Sequence, residues 1–369
     1  MTLYPKLILD ALKTVRYPGN GLNLVEADMV DDNIRIEGNK VSFAILFEKP
    51  TDPFIKSVIK SAETAILTYV SKDVDIVGNI SVNTKRAARP EVGKLLPQVK
   101  NIIGVSSGKG GVGKSTVASN LAVALAKLGY QVGLLDADIF GPSMPKMFQV
   151  EDGRPILVEV GGRELISPLV KYGVKLLSIG FFVDPDQATL WRGGMASNAL
   201  KQLIGDADWG DLDYLLIDLP PGTSDIHLTI VQTLALTGVV VVSTPQDVAL
   251  ADARKGINMF TNDKVGVPIL GLVENMSWFT PAELPDHKYY IFGKEGAKKL
   301  ATEMEVPLLG QIPIVQSIRE GGDEGKPVAL NEDSITGSAF KSVAEEVVKQ
   351  VDLRNENQDP TQIVEITTR

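Results

Sequence analysis

The chain has 369 residues, enough for two or three domains, and its 44% apolar and 22% charged content is typical of a globular protein. It contains no cysteine, which excludes disulfides, zinc–thiolate sites, thiol catalysis and clusters held by its own thiolates. A net charge of −9 gives no general attraction to nucleic acid or to an anionic membrane. The first residues lack the apolar core of a signal peptide, and no segment approaches the ~18 apolar residues of a spanning helix. We therefore expect a cytoplasmic protein with no nucleic-acid or membrane partner.

Residues 1–84 are predicted to form a small α+β domain. Apolar periodicity predicts helices over residues 7–15 and 52–68, with Pro53 at the first position of the second helix. Strands are predicted over residues 33–36, 40–47 and 73–81, the first two joined by a turn. No residues here have catalytic spacing, so we expect this domain to dock a partner or a substrate.

Strands and helices alternate from residue 99 to residue 353, after a polar, basic stretch over residues 85–98 that we interpret as a linker. Predicted strands span residues 101–106, 131–135, 174–179, 214–217, 238–243, 269–274 and 308–311. Predicted helices span residues 114–128, 197–204, 225–236, 249–260, 294–304 and 335–351. This order predicts an α/β domain with a doubly wound, mostly parallel sheet that binds ligands at the carboxyl ends of its strands. Residues 354–369 are polar and are predicted to be a disordered tail.

A glycine-rich stretch joins the first strand of this larger domain to its first helix. It comprises Gly108, Lys109, Gly110, Gly111, Val112, Gly113, Lys114, Ser115 and Thr116. Glycines let backbone N–H groups turn toward a phosphate, and the helix N-terminus adds partial positive charge, so this context predicts a P-loop. We expect Lys114 to reach the β- and γ-phosphates of a nucleotide and Ser115 to ligate Mg²⁺.

Two further predicted strands end in aspartate. Asp136 and Asp138 follow one strand, and Asp218 ends the apolar run 214–217. Carboxylates at strand ends suit Mg²⁺, because the ion offsets their mutual repulsion. An apolar run that ends in aspartate is the Walker B pattern, so Asp218 is predicted to hold Mg²⁺ through water. The following turn, residues 220–222, is predicted to respond to the γ-phosphate.

Lys109 adds a second lysine directly after the first glycine, and this pattern resembles the deviant Walker A motif of the MinD/ParA superfamily of ATPases. The resemblance implies Mg²⁺-dependent ATP hydrolysis in a nucleotide-sandwiched homodimer, with Lys109 reaching the partner's nucleotide. It implies catalytic roles for Lys109, Lys114, Asp138 and Asp218, and places Asp138 beside Ser115 and Asp218 at the metal. It also implies that Asn275 contacts the adenine edge and that the loop with Gln311 and Pro313 brackets the base. We expect hydrolysis to be slow and to control the shape of the dimer.

Three further stretches, residues 140–143, 191–195 and 274–277, resemble the Mrp/ApbC branch of this superfamily, which carries iron–sulfur clusters. The first domain is similar to a small domain found in iron–sulfur assembly, although Tyr17-Pro18-Gly19 stands where that family usually has D-P-E. The resemblance implies cluster delivery or assembly, with iron–sulfur assembly proteins or apo-client proteins as partners.

The chain departs from that branch after residue 279. The branch has C-x-x-C there, whereas the corresponding positions here fall at about Pro281 and Leu284, which cannot ligate iron. An iron–sulfur cluster is expected from the family, but no cluster ligand can be assigned. Glu283, Asp286 and His287 form an alternative set of hard ligands. The other histidine, His227, lies on a predicted helix, where a lone histidine is more often a surface or capping residue.

Two other functions remain open from the sequence. A ParA/MinD-type positioning or regulatory switch would need an amphipathic membrane helix or a basic DNA-binding face, and residues 362–369 are too short and too weakly charged for an anchor. A scaffold is the other alternative, in which the first domain binds a partner and the ATPase domain reports the nucleotide state.

Overall fold

A computed structural model describes residues 3–27, 29–31, 34–47, 52–84, 95–182, 193–281 and 283–364. The chain forms two compact units, residues 1–92 and 93–369. Residues 85–94 of the predicted linker over 85–98 lie outside the described residues, as do the motif residues Trp191 and Arg192 and residues 365–369. No helix in the described part of the chain is long and apolar enough to span a membrane.

The first unit packs two helices against a small sheet. Its elements are α1 (Pro5–Leu12), β1 (Arg35–Glu37), β2 (Lys40–Phe47), α2 (Ile55–Tyr69) and β3 (Ile80–Thr84). The central strand β2 pairs antiparallel with β1 and parallel with β3. Its Phe43, Ile45 and Phe47 are buried together with Ala62 and Ile66 of α2. The predicted strand over residues 73–81 is wrong in position. Within that stretch Asp75 makes an isolated bridge to Lys40, the chain then turns with Gly78 at φ +79°, and the continuous ladder with β2 begins at Ile80.

The second unit is an α/β unit in which helices cover a large sheet. Its strands are β4 (Val99–Ser106), β5 (Val132–Asp136), β6 (Leu157–Val160), β7 (Arg163–Ile166), β8 (Leu169–Lys171), β9 (Val174–Ser178), β10 (Leu212–Asp218), β11 (Gly238–Ser243), β12 (Ile269–Glu274) and β13 (Leu308–Gln311). Its helices are α3 (Lys114–Lys127), α4 (Met144–Met147), α5 (Gly193–Gly205), α6 (Asp225–Thr233), α7 (Asp247–Thr261), α8 (Gly296–Glu303), α9 (Gln316–Asp323) and α10 (Ile335–Asn357).

The large sheet has the strand order β13-β12-β11-β4-β10-β5-β9-β8. Neighbouring strands run parallel except at the edge, where β8 pairs antiparallel with β9. All six residues of β11 are buried; Val241 belongs to the apolar core on one side of the sheet and Val240 to the core on the other. The predicted mostly parallel α/β fold is confirmed, because helices cover both faces of continuously apolar strands.

The sequence did not predict the short elements α4, β6, β7, β8 and α9. Residues of β6 and β7 are largely exposed, so these strands lack the apolar periodicity that identifies a buried strand. The end of the chain also differs from the expectation of a disordered tail from residue 354. Helix α10 continues to Asn357, and Val364 is buried, its N–H donating to Val231 O at 3.0 Å. Burial of the Val364 side chain therefore holds residues 358–364 against the protein, although most of these residues are polar.

Candidate functional site

The carboxyl ends of three adjacent strands bring the predicted site residues together. β10 lies between β4 and β5, and Asp218 of β10 is in register with Asp136 of β5. The P-loop begins where β4 ends, so it lies at the carboxyl ends of the strands, as both carboxylates do. This juxtaposition follows from parallel pairing, which places the ends of neighbouring strands side by side.

Glycine is required at three positions of the P-loop for different reasons. Gly111 and Gly113 have φ values of +83° and +82°, a left-handed conformation that side chains with a Cβ disfavour. A Cβ on Gly108 would lie 2.1 Å from the carbonyl carbon of Asp252, because α7 packs its backbone directly on the loop. Gly113 is also the residue that caps α3, so the loop passes directly into a helix N-terminus.

Lys114, Ser115 and Asp218 form a buried hydrogen-bonded cluster. Lys114 Nζ lies 2.6 Å from Asp218 Oδ1 and 3.1 Å from Ser115 Oγ. Ser115 Oγ donates to Asp218 Oδ2 at 2.6 Å. Asp218 is fully buried, and burial raises the pKa of its carboxyl while the Lys114 ammonium lowers it. The arrangement therefore holds a cation, a hydroxyl and a carboxylate together at the start of α3.

Asp136 holds the segment that follows β5. Its Oδ2 accepts hydrogen bonds from the backbone N–H groups of Ser143 and Met144, each at 3.1 Å, and from Ser178 Oγ at 3.0 Å. Its Oδ1 accepts from the N–H of Asp138 at 3.2 Å. Burial, reinforced by the nearby Asp218 carboxylate, raises the pKa of Asp136 to about 7. Asp136 is therefore placed to hold the backbone of Asp138 in position.

The residues at this edge fit a magnesium ion. Asp138 is partly buried, which raises its pKa, and the charge of Lys114 acts in the opposite direction. Mg²⁺ is commonly bound by one or two protein oxygens together with substrate phosphates and water, and the hydroxyl of Ser115 and the carboxylate of Asp218 are such oxygens. Within the described residues, no group of three carboxylate or imidazole side chains converges as a self-sufficient metal site.

The three residues predicted to surround the base lie at the ends of β12 and β13. Asn275 is buried, and its Nδ2 donates to Val112 O in the P-loop at 2.8 Å. Gln311 Nε2 donates to Glu274 Oε1 at 2.7 Å, and Pro313 is buried. Both amide nitrogens therefore donate to protein acceptors. No role is predicted for Glu274 from the sequence, although, like Asp136 and Asp218, it is a carboxylate that ends an apolar strand.

Lys109 is partly exposed on the P-loop, and its carbonyl oxygen accepts from Ser107 Oγ at 3.0 Å. Gly222, in the turn predicted to respond to the γ-phosphate, donates its N–H to Ser107 O at 2.9 Å. The turn after β10 is thus bonded to the residue that precedes the P-loop. The Lys109 side chain remains at the surface, on the same edge of the sheet as the carboxylates.

The two histidines occupy different environments. His227 is 1% exposed and completes a capping box at the start of α6, where its Nδ1 accepts from the N–H of Ser224 at 3.0 Å. Burial, followed by the charge of Lys114, lowers the pKa of His227 to about 4. His287 is exposed in the loop between β12 and α8. In the described residues neither histidine belongs to a metal-binding group.

The loop that follows β12 contains the positions where the related branch has cysteines. Phe279 and Tyr289 exchange two backbone hydrogen bonds of 2.8 Å each, and Lys288 Nζ lies 4.0 Å from the centre of the Trp278 ring. Between them, Leu284 is 43% exposed. Backbone hydrogen bonds therefore hold the two sides of this loop together. Neither Pro281 nor Leu284 has a side chain that can ligate iron.

Known proteins share both units of the chain. A family described as NUBPL iron-transfer P-loop NTPase matches residues 98–348, and a family described as iron-sulfur cluster assembly protein matches residues 6–77. An iron-sulfur cluster carrier protein of Synechocystis sp. is 41% identical over 353 residues, which cover 94% of this chain and 97% of that relative. An iron-sulfur cluster carrier protein of Escherichia coli is 50% identical over 254 residues, covering 69% and 67%.

Two solved structures share the fold of the larger unit. A nucleotide-binding protein from Archaeoglobus fulgidus in complex with ADP has a TM-score of 0.55 and 37% identity, covering 63% of this chain and 88% of that chain. MinD from Pyrococcus horikoshii complexed with Mg-ADP has a TM-score of 0.52 and 27% identity, covering 70% and 99%. The fold and the site define a P-loop NTPase related to MinD. The chain belongs to the NUBPL iron-transfer P-loop NTPase family. Its relatives include proteins named iron–sulfur cluster carrier protein.

Proposed function

We propose that the protein binds ATP with Mg²⁺, hydrolyses it slowly, and uses the nucleotide state to control a homodimer that acts in iron–sulfur cluster delivery or assembly. The observation that carries the proposal is the buried cluster of Lys114, Ser115 and Asp218 at the start of α3. A buried lysine beside a hydroxyl and a carboxylate is suited to a phosphate chain with a divalent cation.

The proposed roles follow from the contacts. Lys114 exchanges Asp218 for the β- and γ-phosphates of ATP, and the backbone N–H groups of the P-loop surround the phosphates. Ser115, Asp138 and Asp218 would hold Mg²⁺, which when bound neutralises charge that develops on the phosphates. Asp136 keeps Asp138 in place through the hydrogen bond from the Asp138 N–H. Lys109 extends to the nucleotide of a second copy.

Calorimetry tests this proposal most directly. Titration of the full chain with ATP and Mg²⁺ is expected to show saturable binding, and omission of Mg²⁺ is expected to weaken it, because ligands for the ion come partly from the phosphates. A full chain that is folded but takes up no ATP with Mg²⁺ would contradict the proposal. CTP and GTP titrations serve as controls for the proposed base contacts of Asn275, Gln311 and Pro313.

An iron–sulfur cluster would be cargo for this protein, and the residues of this chain do not fit direct binding of such a cluster. Protein-bound clusters are held chiefly by cysteine thiolates, and the chain has no cysteine. We therefore propose that it acts in cluster delivery through a partner that supplies the thiolates. Metal analysis of protein purified anaerobically from its native host is expected to show iron only with such a partner. Iron and sulfide retained by the pure chain after reconstitution would contradict an indirect role.

A further inference from the structure

Glu274 is a fully buried carboxylate that uses both oxygens within the protein. Oε1 accepts from Gln311 Nε2 at 2.7 Å, and Oε2 accepts from the backbone N–H of Ala297 at 2.7 Å. Gln311 ends β13, and Ala297 lies in the first turn of α8. One carboxylate thus joins β12 to two elements that follow it in the chain.

These contacts close a loop. The chain leaves β12 after Glu274, runs from Met276 to Glu295, and returns at Gly296 and Ala297. The hydrogen bond between Ala297 and Glu274 therefore fastens the returning end of the loop beside its departing end. The return is also tightly packed, since a Cβ on Gly296 would lie 2.1 Å from Pro245 O.

The departing end of the loop is bonded to the P-loop. Asn275, the next residue after Glu274, donates from Nδ2 to Val112 O at 2.8 Å. The same nitrogen would lie 2.2 Å from a Cβ on Gly113, so the Asn275 amide is in close contact with the start of α3. A displacement of the P-loop therefore acts on Asn275, and through the backbone on the loop that begins at Met276.

We propose that Glu274 is a positioning residue that couples the P-loop to the loop from Met276 to Glu295. By fixing the return of the loop to β12, Glu274 makes the loop respond as a unit when the P-loop binds a phosphate chain. Without this attachment, the departing end still moves with Asn275, whereas the returning end keeps its packing on Pro245 but loses its hydrogen bond to β12. This inference rests on the proposed nucleotide binding, but Glu274 itself has no role in contacting the nucleotide.

Hydrogen exchange on the full chain, with and without ATP and Mg²⁺, tests the coupling. In the wild-type chain, we expect nucleotide to slow exchange of amides between Met276 and Glu295. Glu274→Ala is expected to bind ATP within about threefold of wild type, yet to exchange about tenfold faster in this loop and to lose the nucleotide response, since a hydrogen bond to a charged group contributes about this factor. A Glu274→Ala chain that keeps the full nucleotide response would overturn the proposal.

Conservative variants separate positioning from general stability. Glu274→Gln keeps an acceptor for the N–H of Ala297, and Gln311 can turn its amide to meet it, so the nucleotide response is expected to recover. Failure of Glu274→Gln to recover the response would overturn the hydrogen-bonding role. Should Glu274→Ala not fold, Glu274→Asp replaces it: the shorter carboxylate cannot span both partners, and its response is expected to be lost.

Thr237→Val is a matched control. Thr237 Oγ1 accepts from the N–H of Ile102 at 3.0 Å, and Thr237 is buried, as Glu274 is. Thr237 directly precedes β11, so it lies at the amino ends of the strands, whereas Glu274 lies at their carboxyl ends. This variant is expected to lose stability and keep the loop response; loss of the response here would overturn a specific role for Glu274. Wild-type protein that does not bind ATP would count against the proposed function, whereas wild-type binding without a change in the loop would overturn only this inference.

Discussion

At the scale of single residues, Lys114 connects the P-loop to the sheet. Its side chain is only 6% exposed, and Nζ lies 2.6 Å from Asp218 Oδ1, so each charge is compensated by the other. Removal of one partner from a buried pair leaves the other charge uncompensated. Lys114 is therefore both a proposed phosphate ligand and a contributor to the stability of the protein.

Lys114→Ala is expected to abolish ATP turnover, because it removes the cation proposed to contact the β- and γ-phosphates. It is also expected to lower the free energy of unfolding by about 3–5 kcal/mol, since Asp218 remains buried. Phosphate release and denaturant unfolding measure the two effects. Lys100→Ala is the matched control: Lys100 also pairs with an aspartate, at 2.7 Å, but is 74% exposed. Wild-type turnover in Lys114→Ala would contradict the assignment.

At the scale of elements, the N-terminus of α6 depends on a neutral histidine. His227 accepts from Ser224 inside the capping box, and burial lowers its pKa to about 4, against 6.5 for an unperturbed histidine. Between these values the unfolded chain binds a proton that native His227 excludes. The contribution of His227 to the free energy of unfolding is therefore fully present above pH 6.5 and is lost as the pH is lowered toward 4.

The variant His227→Asn is expected to remove this part of the pH dependence, because the asparagine amide oxygen can accept from Ser224 without titrating. Between pH 6.5 and pH 4, the wild-type chain is expected to lose on the order of 3 kcal/mol more of its free energy of unfolding than His227→Asn loses. Denaturant unfolding at several pH values measures it. Identical profiles for wild type and His227→Asn would contradict the prediction.

The packing of α7 on the P-loop gives a second prediction for an element. Gly108→Ala places a Cβ 2.1 Å from the carbonyl carbon of Asp252, so the helix must move away from the loop. We expect a loss of about 1–3 kcal/mol in stability together with weaker ATP binding. Gly256→Ala, on the same helix, meets no atom within 4 Å and is expected to stabilise the protein by about 0.5–1 kcal/mol. Thermal unfolding and calorimetry compare them; destabilisation by Gly256→Ala equal to that by Gly108→Ala would be inconsistent with this packing.

At the scale of the whole molecule, the chain combines two compact units that match different families. The larger unit carries the P-loop and the carboxylates at one edge of its sheet. The proposed homodimer would place two such edges together, with Lys109 of each copy directed at the nucleotide of the other. The smaller unit is proposed to dock a partner or a client.

Light scattering during size-exclusion chromatography tests the dimer. The wild-type chain is expected to change from monomer to dimer when ATP and Mg²⁺ are added, and Lys109→Ala is expected to remain monomeric while it still binds ATP. The control variant is Lys127→Ala. Lys127 is an exposed lysine at the C-terminal end of α3, away from the P-loop, and it pairs with Glu332 at 3.5 Å. A nucleotide-dependent dimer of Lys109→Ala would exclude the proposed role of Lys109.

The sequence by itself determined the class of fold and the position of the P-loop. Strands β11, β12 and β13 have the predicted bounds. In β11 and β12, runs of apolar residues reflect burial on both faces, which is a local property of the chain. The glycines and the lysines of the P-loop are likewise recognisable because their spacing is local. The family resemblance rested on such stretches.

Only the tertiary structure decided which distant residues meet. Lys114 and Asp218 are 104 positions apart in the chain, and their contact depends on β10 lying beside β4. The contacts of Asn275 with Val112 and of Glu274 with Ala297 depend on the order of β11 and β12 and on the return of α8. Strand order is set by the packing of the whole core, and no local period in the sequence encodes it.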